Sequence, residues 1–266
     1  MISSLHIASR DFIARWKAGS RTASANTRRV EAWLALMLCL SILLVAVYGD
    51  EWMARAAKNV SPVVYALFAD ITRLGESGWI FASSGAAIII ALALRQRGWG
   101  RRVDAMLGLF AGRAFFVLAT NAVAGLLSVL VKMLFGRARP RLLDIVGPFH
   151  FDMLSWKSSV LSFPSGHSVT AFASATALAC VAPRLGKWLL LLAVLVALSR
   201  VITGAHYPSD VIAGAALGAA TTFMLRRAFA ARHIVFSRRR DGRILARGIG
   251  LISSALAGVI GTGVKK

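Results

Sequence analysis

Long runs of apolar residues, separated by short polar gaps, form the dominant pattern along this chain of 266 residues. A helix needs about 20 apolar residues in succession to cross a bilayer, and several runs reach or approach that length. The runs are 30–48, 78–94, 114–131, 163–181, 188–201 and 211–225. Because lipid offers no partner to a free backbone N–H or C=O group, each run is predicted to be a helix. The pattern therefore predicts an all-α integral membrane protein with six transmembrane helices in a bundle.

Lysine and arginine are concentrated in every second gap, namely 1–29, 95–113, 182–187 and the stretch after 225. The other gaps balance Lys and Arg roughly with Asp and Glu. Cytoplasmic loops carry the excess of Lys and Arg, so the basic gaps and both termini are predicted to be cytoplasmic. We expect a multi-pass protein of a bacterial inner membrane whose opposite helix ends face the periplasm.

The polar segments divide the chain into three predicted regions. Residues 1–29 form a basic cytoplasmic tail, 30–228 the six-span domain, and 229–266 a second basic cytoplasmic tail. Within the second tail, 249–264 is apolar but rich in glycine and is followed by Lys265 and Lys266. A seventh span would put those lysines outside, which favours a possible interfacial helix instead. Residues 61–75 are expected to form an amphipathic helix on the outer face, with Ser61 as its cap and Pro62 in its first turn.

Composition argues against two other classes of protein. Charged residues make up only 16% of the chain, whereas soluble domains carry about 25%. A net charge of +21 would suit nucleic-acid binding, but the basic residues are dispersed between apolar runs, as membrane topology requires. We therefore expect a membrane bilayer and no nucleic acid as partner, and the sequence identifies no protein partner. The two cysteines, Cys39 and Cys180, lie in apolar runs and predict no disulfide framework.

Three clusters of reactive residues stand at predicted outer ends of spans. The first runs from Lys132 to Arg139-Pro140, the second is Pro164-Ser165-Gly166-His167, and the third is Ser199-Arg200-x5-His206-x3-Asp210. A lysine or arginine at a span end most often extends to lipid headgroups. Three cations close to two histidines, however, match the oxygens of a phosphate group, and a helix beginning at Pro164–His167 would add free backbone N–H groups.

His206 and Asp210 are four residues apart, so a helix entering the sixth run would place both on one face. A carboxylate bonded to one ring nitrogen fixes the tautomer and leaves the other nitrogen free to attack. Such a pair is equally compatible with a purely structural hydrogen bond. A metal held by His167, His206 and Asp210 is disfavoured, because the neighbouring cations would repel it.

Together the three clusters resemble the signature of the type 2 phosphatidic acid phosphatase (PAP2) family, in its membrane branch of lipid phosphate phosphatases. That signature is K-x6-R-P, P-S-G-H and S-R-x5-H-x3-D, and every fixed position is filled here in order. The resemblance covers roughly 114–225, the motif core. It implies that His206 is the nucleophile that forms a phosphohistidine, Asp210 its orienting partner and His167 the general acid. It further implies a phosphate cradle, no cofactor and no metal; the cradle residues are Lys132, Arg139, Ser165, Gly166 and Arg200.

The resemblance predicts a phosphatase that removes phosphate from a lipid phosphate monoester or diphosphate, such as phosphatidate, phosphatidylglycerophosphate, undecaprenyl diphosphate or lipid A. A phosphotransferase using the same phosphohistidine is the alternative, and a non-catalytic lipid-phosphate binder or transporter is a third reading from another class. The loop 141–162 is expected to help select the substrate, with His150, Asp152, Trp156 and Lys157 as candidates. Arg137 and Arg141 flank the cradle and could contact a second phosphate or a headgroup.

Overall fold

The computed structural model describes residues 25–97, 100–239 and 242–248. Most of the predicted N-terminal tail and the predicted interfacial segment 249–264 lie outside these residues. The described residues form helices and one small sheet: α1 (Ala25–Tyr48), α2 (Asp50–Ala57), α3 (Pro62–Thr72), α4 (Ser77–Arg95), α5 (Arg101–Phe135), α6 (Leu143–Val146), α7 (Gly166–Val181), α8 (Gly186–Ile202), α9 (Pro208–Ala231), β1 (Phe236–Arg238) and β2 (Ile244–Ala246). Short 3₁₀ turns lie at Arg73–Gly75, Pro140–Leu142, Ser158–Val160 and Pro183–Leu185.

Every apolar run of the sequence lies on a helix. Five helical segments among the described residues are long and apolar enough to cross a membrane: Arg28–Tyr48, Pro62–Arg95, Arg101–Phe135, Pro183–Ile202 and Pro208–Ala231. The fourth run forms α7, which has 16 residues and a length of about 24 Å, less than the roughly 30 Å of a hydrocarbon core. The chain is therefore a mostly helical membrane protein, while six spans and cytoplasmic termini stay predictions.

The predicted helix at 61–75 is present with the predicted start, while its place on the outer face stays a prediction. The Ser61 hydroxyl accepts a hydrogen bond from the backbone N–H of Val64 at 3.4 Å, and Pro62 occupies the first turn. The α-helix ends at Thr72, and the 3₁₀ turn Arg73–Gly75 follows it directly. The local signals of a capping serine, an N-terminal proline and a closing glycine thus set both ends of this element.

Contacts between residues divide the chain into two compact units, and the described residues of the smaller one are 82–97, 100–118, 224–239 and 242–248. Its described part contains the antiparallel hairpin β1–β2, in which Phe236 pairs with Ala246. Phe236 is fully buried and meets Phe116 edge-on, with ring centroids 4.7 Å apart. The sequence predicts only a basic tail here, because strands of three residues are too short for an alternating pattern to identify them.

The larger unit comprises 22–81 and 119–223 and contains all three motif clusters. Its α7 and α9 cross closely because Gly214 and Gly218 have no side chains. A Cβ on Gly214 would lie 2.6 Å from the Ser165 carbonyl oxygen, and one on Gly218 would lie 2.5 Å from that of Val169. Two small residues four apart permit such backbone contact between membrane helices. The crossing brings the start of α9 to the start of α7.

Candidate active site

The three sequence clusters meet at one end of the larger unit. Lys132 lies in the last turn of α5 and Arg200 in the last turn of α8. Ser165 caps α7, whose first residues are Gly166 and His167. Arg139 and His206 lie in connections between helices, and Asp210 lies in the first turn of α9. The ionisable groups of Lys132, His167, Arg200 and His206 all lie within electrostatic range of Arg139.

A tight turn between α8 and α9 fixes the position of His206. The backbone N–H groups of Ala205 and His206 both donate to the carbonyl oxygen of Arg200, at 3.0 and 3.1 Å. Gly204 has a φ of +64°, a left-handed conformation that favours glycine. The turn explains the five-residue spacing between Arg200 and His206, because the chain must close α8 before it can begin α9.

The predicted partnership of His206 and Asp210 is indirect. The Nδ1 atom of His206 lies 3.6 Å from Asp210 Oδ2, which is too far for a hydrogen bond. Ser162 bridges the two side chains, since its Oγ lies 3.3 Å from Nδ1 and donates to Asp210 Oδ2 at 2.6 Å. The hydroxyl has one proton, so Oγ accepts from a protonated Nδ1 while it donates to the carboxylate. This arrangement leaves Nε2 of His206 unprotonated and free to attack.

His206 is almost completely buried, with 4% of its surface exposed. Burial lowers the pKa of His206 from 6.5 to about 4, although the nearby Asp210 carboxylate acts in the opposite direction. The ring is therefore neutral at physiological pH, which is the state that a nitrogen nucleophile requires.

Arg137 corrects the sequence analysis, which placed it beside the cradle as a possible ligand of a second phosphate. Only 3% of Arg137 is exposed. Its Nη1 donates to Ser209 Oγ and Asp210 Oδ1, both at 2.7 Å, and its Nη2 donates to Asp50 Oδ2 at 2.8 Å. Its Nη2 and Nε also donate to the Pro148 carbonyl oxygen, at 3.0 and 3.2 Å. All five guanidinium N–H groups are thus used, so Arg137 has none left for a phosphate.

Asp50 completes this buried group, which we call the carboxylate clamp: Asp50, Arg137, Ser209 and Asp210. Asp50 begins α2 and is fully buried. Its Oδ1 accepts from the Ser209 backbone N–H at 2.9 Å, and its Oδ2 accepts from the Ser209 hydroxyl. The pKa of Arg137 is raised, because the charges and hydrogen bonds of Asp210 and Asp50 outweigh the opposing effect of burial. The clamp holds Asp210 Oδ1, while Oδ2 accepts from Ser162 and from the Tyr207 backbone N–H at 3.0 Å.

The predicted cradle contains cations without carboxylate partners. Among the described residues, no Asp or Glu lies within ion-pair distance of Lys132, Arg139 or Arg200, although each is at least partly buried. Lys132 Nζ donates to the carbonyl oxygen of Leu161 at 3.0 Å, and Arg139 Nε donates to that of Ser158 at 2.9 Å. These bonds orient the cations without neutralising them. Burial also lowers the pKa of Arg139.

The start of α7 supplies neutral donors. Ser165 Oγ accepts from the Ser168 hydroxyl at 3.0 Å and from its backbone N–H at 3.5 Å, which leaves the Ser165 hydroxyl proton available to donate. In the described part of the chain, the backbone N–H groups of Gly166 and His167 make no hydrogen bond. A methyl group on Gly166 would lie 3.7 Å from Lys132 Cε, so this glycine faces the lysine. Free N–H groups at a helix start and nearby cations together suit an anion.

The loop residues proposed from the sequence are mostly exposed. His150, Trp156, Lys157 and Arg141 are exposed, and Asp152 is half-buried. Lys157 and Asp152 form a loose ion pair at 3.8 Å. Among the described residues, none of these side chains forms a hydrogen bond or ion pair with Lys132, Arg139 or Arg200, so their role in selection stays a prediction. Within the described residues, no group of three or more His, Cys, Asp or Glu side chains is arranged to hold a metal ion.

Known proteins similar to this chain belong to one family. The family model of the PAP2 superfamily matches residues 113–234, which include all three clusters. The chain is 32% identical to a lipid A 1-phosphatase of Rhizobium johnstonii over 216 residues, covering 81% of this chain and 88% of that protein. It is 40% identical to a decaprenylphosphoryl-5-phosphoribose phosphatase of Mycobacterium tuberculosis over 164 residues, covering 59% of this chain and 76% of that protein.

A solved structure is also similar to this chain. It is described as the first transmembrane PAP2 type phosphatidylglycerolphosphate phosphatase from Bacillus subtilis. The two chains are 26% identical and superpose with a TM-score of 0.50, over 72% of this chain and 93% of the other. The similar proteins named here are phosphatases of three different lipid phosphates.

Proposed function

The chain belongs to the PAP2 superfamily, and from this premise we propose that it is a metal-independent lipid phosphate phosphatase that works through a phosphohistidine at His206. The observation that carries the proposal is the set of partly buried cations without carboxylate partners, next to a neutral His206 whose Nδ1 is engaged by Ser162. A phosphate group would supply the missing negative charge. Phosphoryl transfer depends mainly on positioning and on stabilising charge, and both are provided here.

In the proposed first step, Nε2 of His206 attacks phosphorus, and the bond between phosphorus and the lipid oxygen breaks. His167 gives its proton to that oxygen, so the lipid leaves as an alcohol, or as a lipid monophosphate from a diphosphate. In the second step, water attacks the phosphohistidine and gives a proton to His167, and phosphate is released. Lys132, Arg139, Arg200, Ser165 and the N–H of Gly166 hold the phosphate oxygens throughout. Asp210 acts through Ser162 to keep the proton on Nδ1.

A lipid substrate suits the surroundings of the site. The loop after the cradle exposes large apolar side chains, namely Phe149, Phe151, Met153, Leu154 and Trp156. Its backbone pairs with the cradle segment, because Ala138 N–H donates to His150 O at 3.0 Å and Asp152 N–H donates to Gly136 O at 2.8 Å. The exposed apolar side chains therefore lie beside the predicted phosphate-binding residues. This arrangement suits a substrate in which a phosphate is attached to a lipid.

Replacing His167 by Ala tests the proposed acid. Proton transfer to a leaving group typically contributes about 10²–10⁴-fold to a rate, so we expect a loss of that order on phosphatidate. The loss should be at least about 10-fold smaller on para-nitrophenyl phosphate, whose leaving group needs no proton. The measurement is kcat for both substrates with purified protein. Equal fractional losses would show that His167 is a phosphate ligand or a structural residue.

Metal independence is tested with the same assay. Because cations take the place of a metal at the phosphate, hydrolysis is expected to continue in excess EDTA and to be inhibited by vanadate, which can mimic five-coordinate phosphorus. A loss of activity in EDTA that a divalent ion restores would contradict this part of the proposal.

The proposed pH dependence follows from the buried nucleophile. The profile of kcat/KM reports groups of the free enzyme. Since burial lowers the pKa of His206 to about 4, the acidic limb should lie well below the ordinary imidazole value of about 6.5. On the acidic side, activity should therefore persist at pH 5.5 and fall as His206 becomes protonated at lower pH.

We further propose that the site faces the periplasm of a bacterial inner membrane, with both termini cytoplasmic. Ser158 and Arg101 are both exposed and lie on opposite predicted sides. In a variant without Cys39 and Cys180, a cysteine at 158 should react in intact cells with a thiol reagent that cannot cross membranes, whereas one at 101 should not. Reversed labelling would overturn the orientation.

A further inference from the structure

Gly75, which lies outside all three motifs, contacts the proposed acid directly. It ends the 3₁₀ turn Arg73–Gly75 and is buried. A Cβ built on Gly75 would lie 3.0 Å from both Cβ and Cδ2 of His167, and 2.7 Å from Cγ1 of Val196. The contact with Val196 is closer than real Cβ atoms show, and contacts at 3.0 Å are tighter than nine in ten of those that real Cβ atoms make. A side chain at position 75 would therefore displace the His167 side chain by a few tenths of an ångström.

The same turn holds a cradle cation. Arg200 Nη1 donates to Thr72 Oγ1 at 2.7 Å, and Thr72 directly precedes Arg73–Gly75. The turn itself is anchored, since Trp79 Nε1 donates to the Leu74 carbonyl oxygen at 3.1 Å. Thr72–Gly75, here called the supporting turn, therefore contacts one proposed acid and one proposed phosphate ligand. The contact of Gly75 with His167 is steric, whereas the contact of Thr72 with Arg200 is a hydrogen bond.

We propose that the supporting turn Thr72–Gly75 is a positioning element of the active site: Gly75 sets the orientation of the His167 ring, and Thr72 sets that of the Arg200 guanidinium. The inference rests on the proposed function, in which His167 protonates the leaving oxygen. A proton is transferred efficiently only over a hydrogen-bond distance, so a ring displaced by even a few tenths of an ångström loses rate. A displaced guanidinium weakens phosphate binding instead.

The two positions are expected to give different kinetic signatures. Gly75→Ala should lower kcat on phosphatidate by about 10–100-fold and lower kcat on para-nitrophenyl phosphate much less, as His167→Ala does. Thr72→Val keeps the shape of the side chain but removes the acceptor for Arg200. It should raise KM and the inhibition constant of inorganic phosphate several-fold, by a similar factor for both substrates. The matched control is Gly78→Ala, because a Cβ there meets nothing within 4 Å.

The contact of Gly75 with Val196 allows a structural effect to be separated from displacement of the ring. Val196→Ala removes the atom nearest to the new methyl group, so a double variant Gly75→Ala/Val196→Ala relieves crowding in the core but leaves the contact with His167. We expect this double variant to fold and to keep the selective loss on phosphatidate. Recovery of wild-type kcat on phosphatidate would mean that Gly75 only packs against Val196, and would overturn the proposal.

A double-mutant cycle completes the test. If Gly75 acts through His167, Gly75→Ala should cause little further loss in the His167→Ala background. A full additional loss, or equal losses on both substrates in the single variant, would overturn the positioning role. If His167→Ala itself shows no dependence on the leaving group, the assignment of the acid fails, whatever Gly75 does. The two failures are therefore distinguishable.

Discussion

His206→Ala is expected to hydrolyse neither phosphatidate nor para-nitrophenyl phosphate, with kcat reduced by at least about 10⁴-fold, the scale seen when an enzyme loses its nucleophile. The reason is that His206 supplies the neutral nitrogen that attacks phosphorus, with its Nδ1 engaged by Ser162. An activated leaving group should not rescue the variant, because the nitrogen that accepts the phosphoryl group is missing. This distinguishes His206 from His167, whose loss depends on the leaving group.

The control for this variant is His233→Ala, since His233 is exposed and lies outside the three motif clusters and the loop 141–162. It should retain activity within a factor of about two, as expected for a surface substitution away from special contacts. His206→Ala should elute as a monodisperse species and still bind inorganic phosphate, because the cations remain. Residual turnover above about 0.01% of the wild-type rate on either substrate would contradict the role of His206 as the nucleophile.

Arg137→Ala is expected to lower the free energy of unfolding by about 3–5 kcal/mol, because it leaves two buried carboxylates without their cation. Asp50 and Asp210 are both fully buried, and Arg137 donates to each. Catalysis should be lost as well, since Asp210 would no longer be held by its Oδ1. The measurement is thermal unfolding of the purified variant in detergent, together with kcat.

Arg141→Ala is the matched control, because Arg141 is exposed and lies only four residues further along the chain. Its unfolding free energy should change by no more than about 0.5 kcal/mol. In Arg137→Ala, the further change Asp50→Asn removes one unpaired charge and should restore part of the lost stability. If Arg137→Ala is as stable as Arg141→Ala, then Arg137 is not part of a buried ionic group and the carboxylate clamp is wrong.

The parts of the fold that were predictable from the sequence are determined by residues close to one another along the chain. The apolar runs predicted every long helix because bilayer thickness imposes a length, and Ser61-Pro62 predicted the start of α3 because capping is local. The closeness of Lys132, Arg139, His167, Arg200 and His206 was also predicted, since each stands at a span end that the Lys and Arg distribution assigned to one side.

The parts that were missed depend on contacts between distant residues. Asp50 and Arg137 are 87 positions apart, and no spacing along the chain indicates that they meet. Arg137 was therefore taken for a possible ligand of a second phosphate or a headgroup, although its neighbours Gly136 and Ala138 are buried with it. Ser162 was missed because a serine before Phe163-Pro164 resembles any loop residue. Gly75 was interpreted only as a helix end, because a glycine that leaves space for a distant ring has no local signature.

Trapping the covalent intermediate tests the central claim most directly. The enzyme is mixed with phosphatidate carrying a radioactive phosphate, quenched in alkali within milliseconds, and digested so that the labelled peptide can be sequenced. We predict one labelled peptide, with phosphate on His206 and a linkage that is stable in alkali and labile in acid. The label should be absent from His206→Ala and present in His233→Ala. Phosphate on any other residue, or hydrolysis at the wild-type rate without a labelled enzyme under single-turnover conditions, would contradict the proposed mechanism.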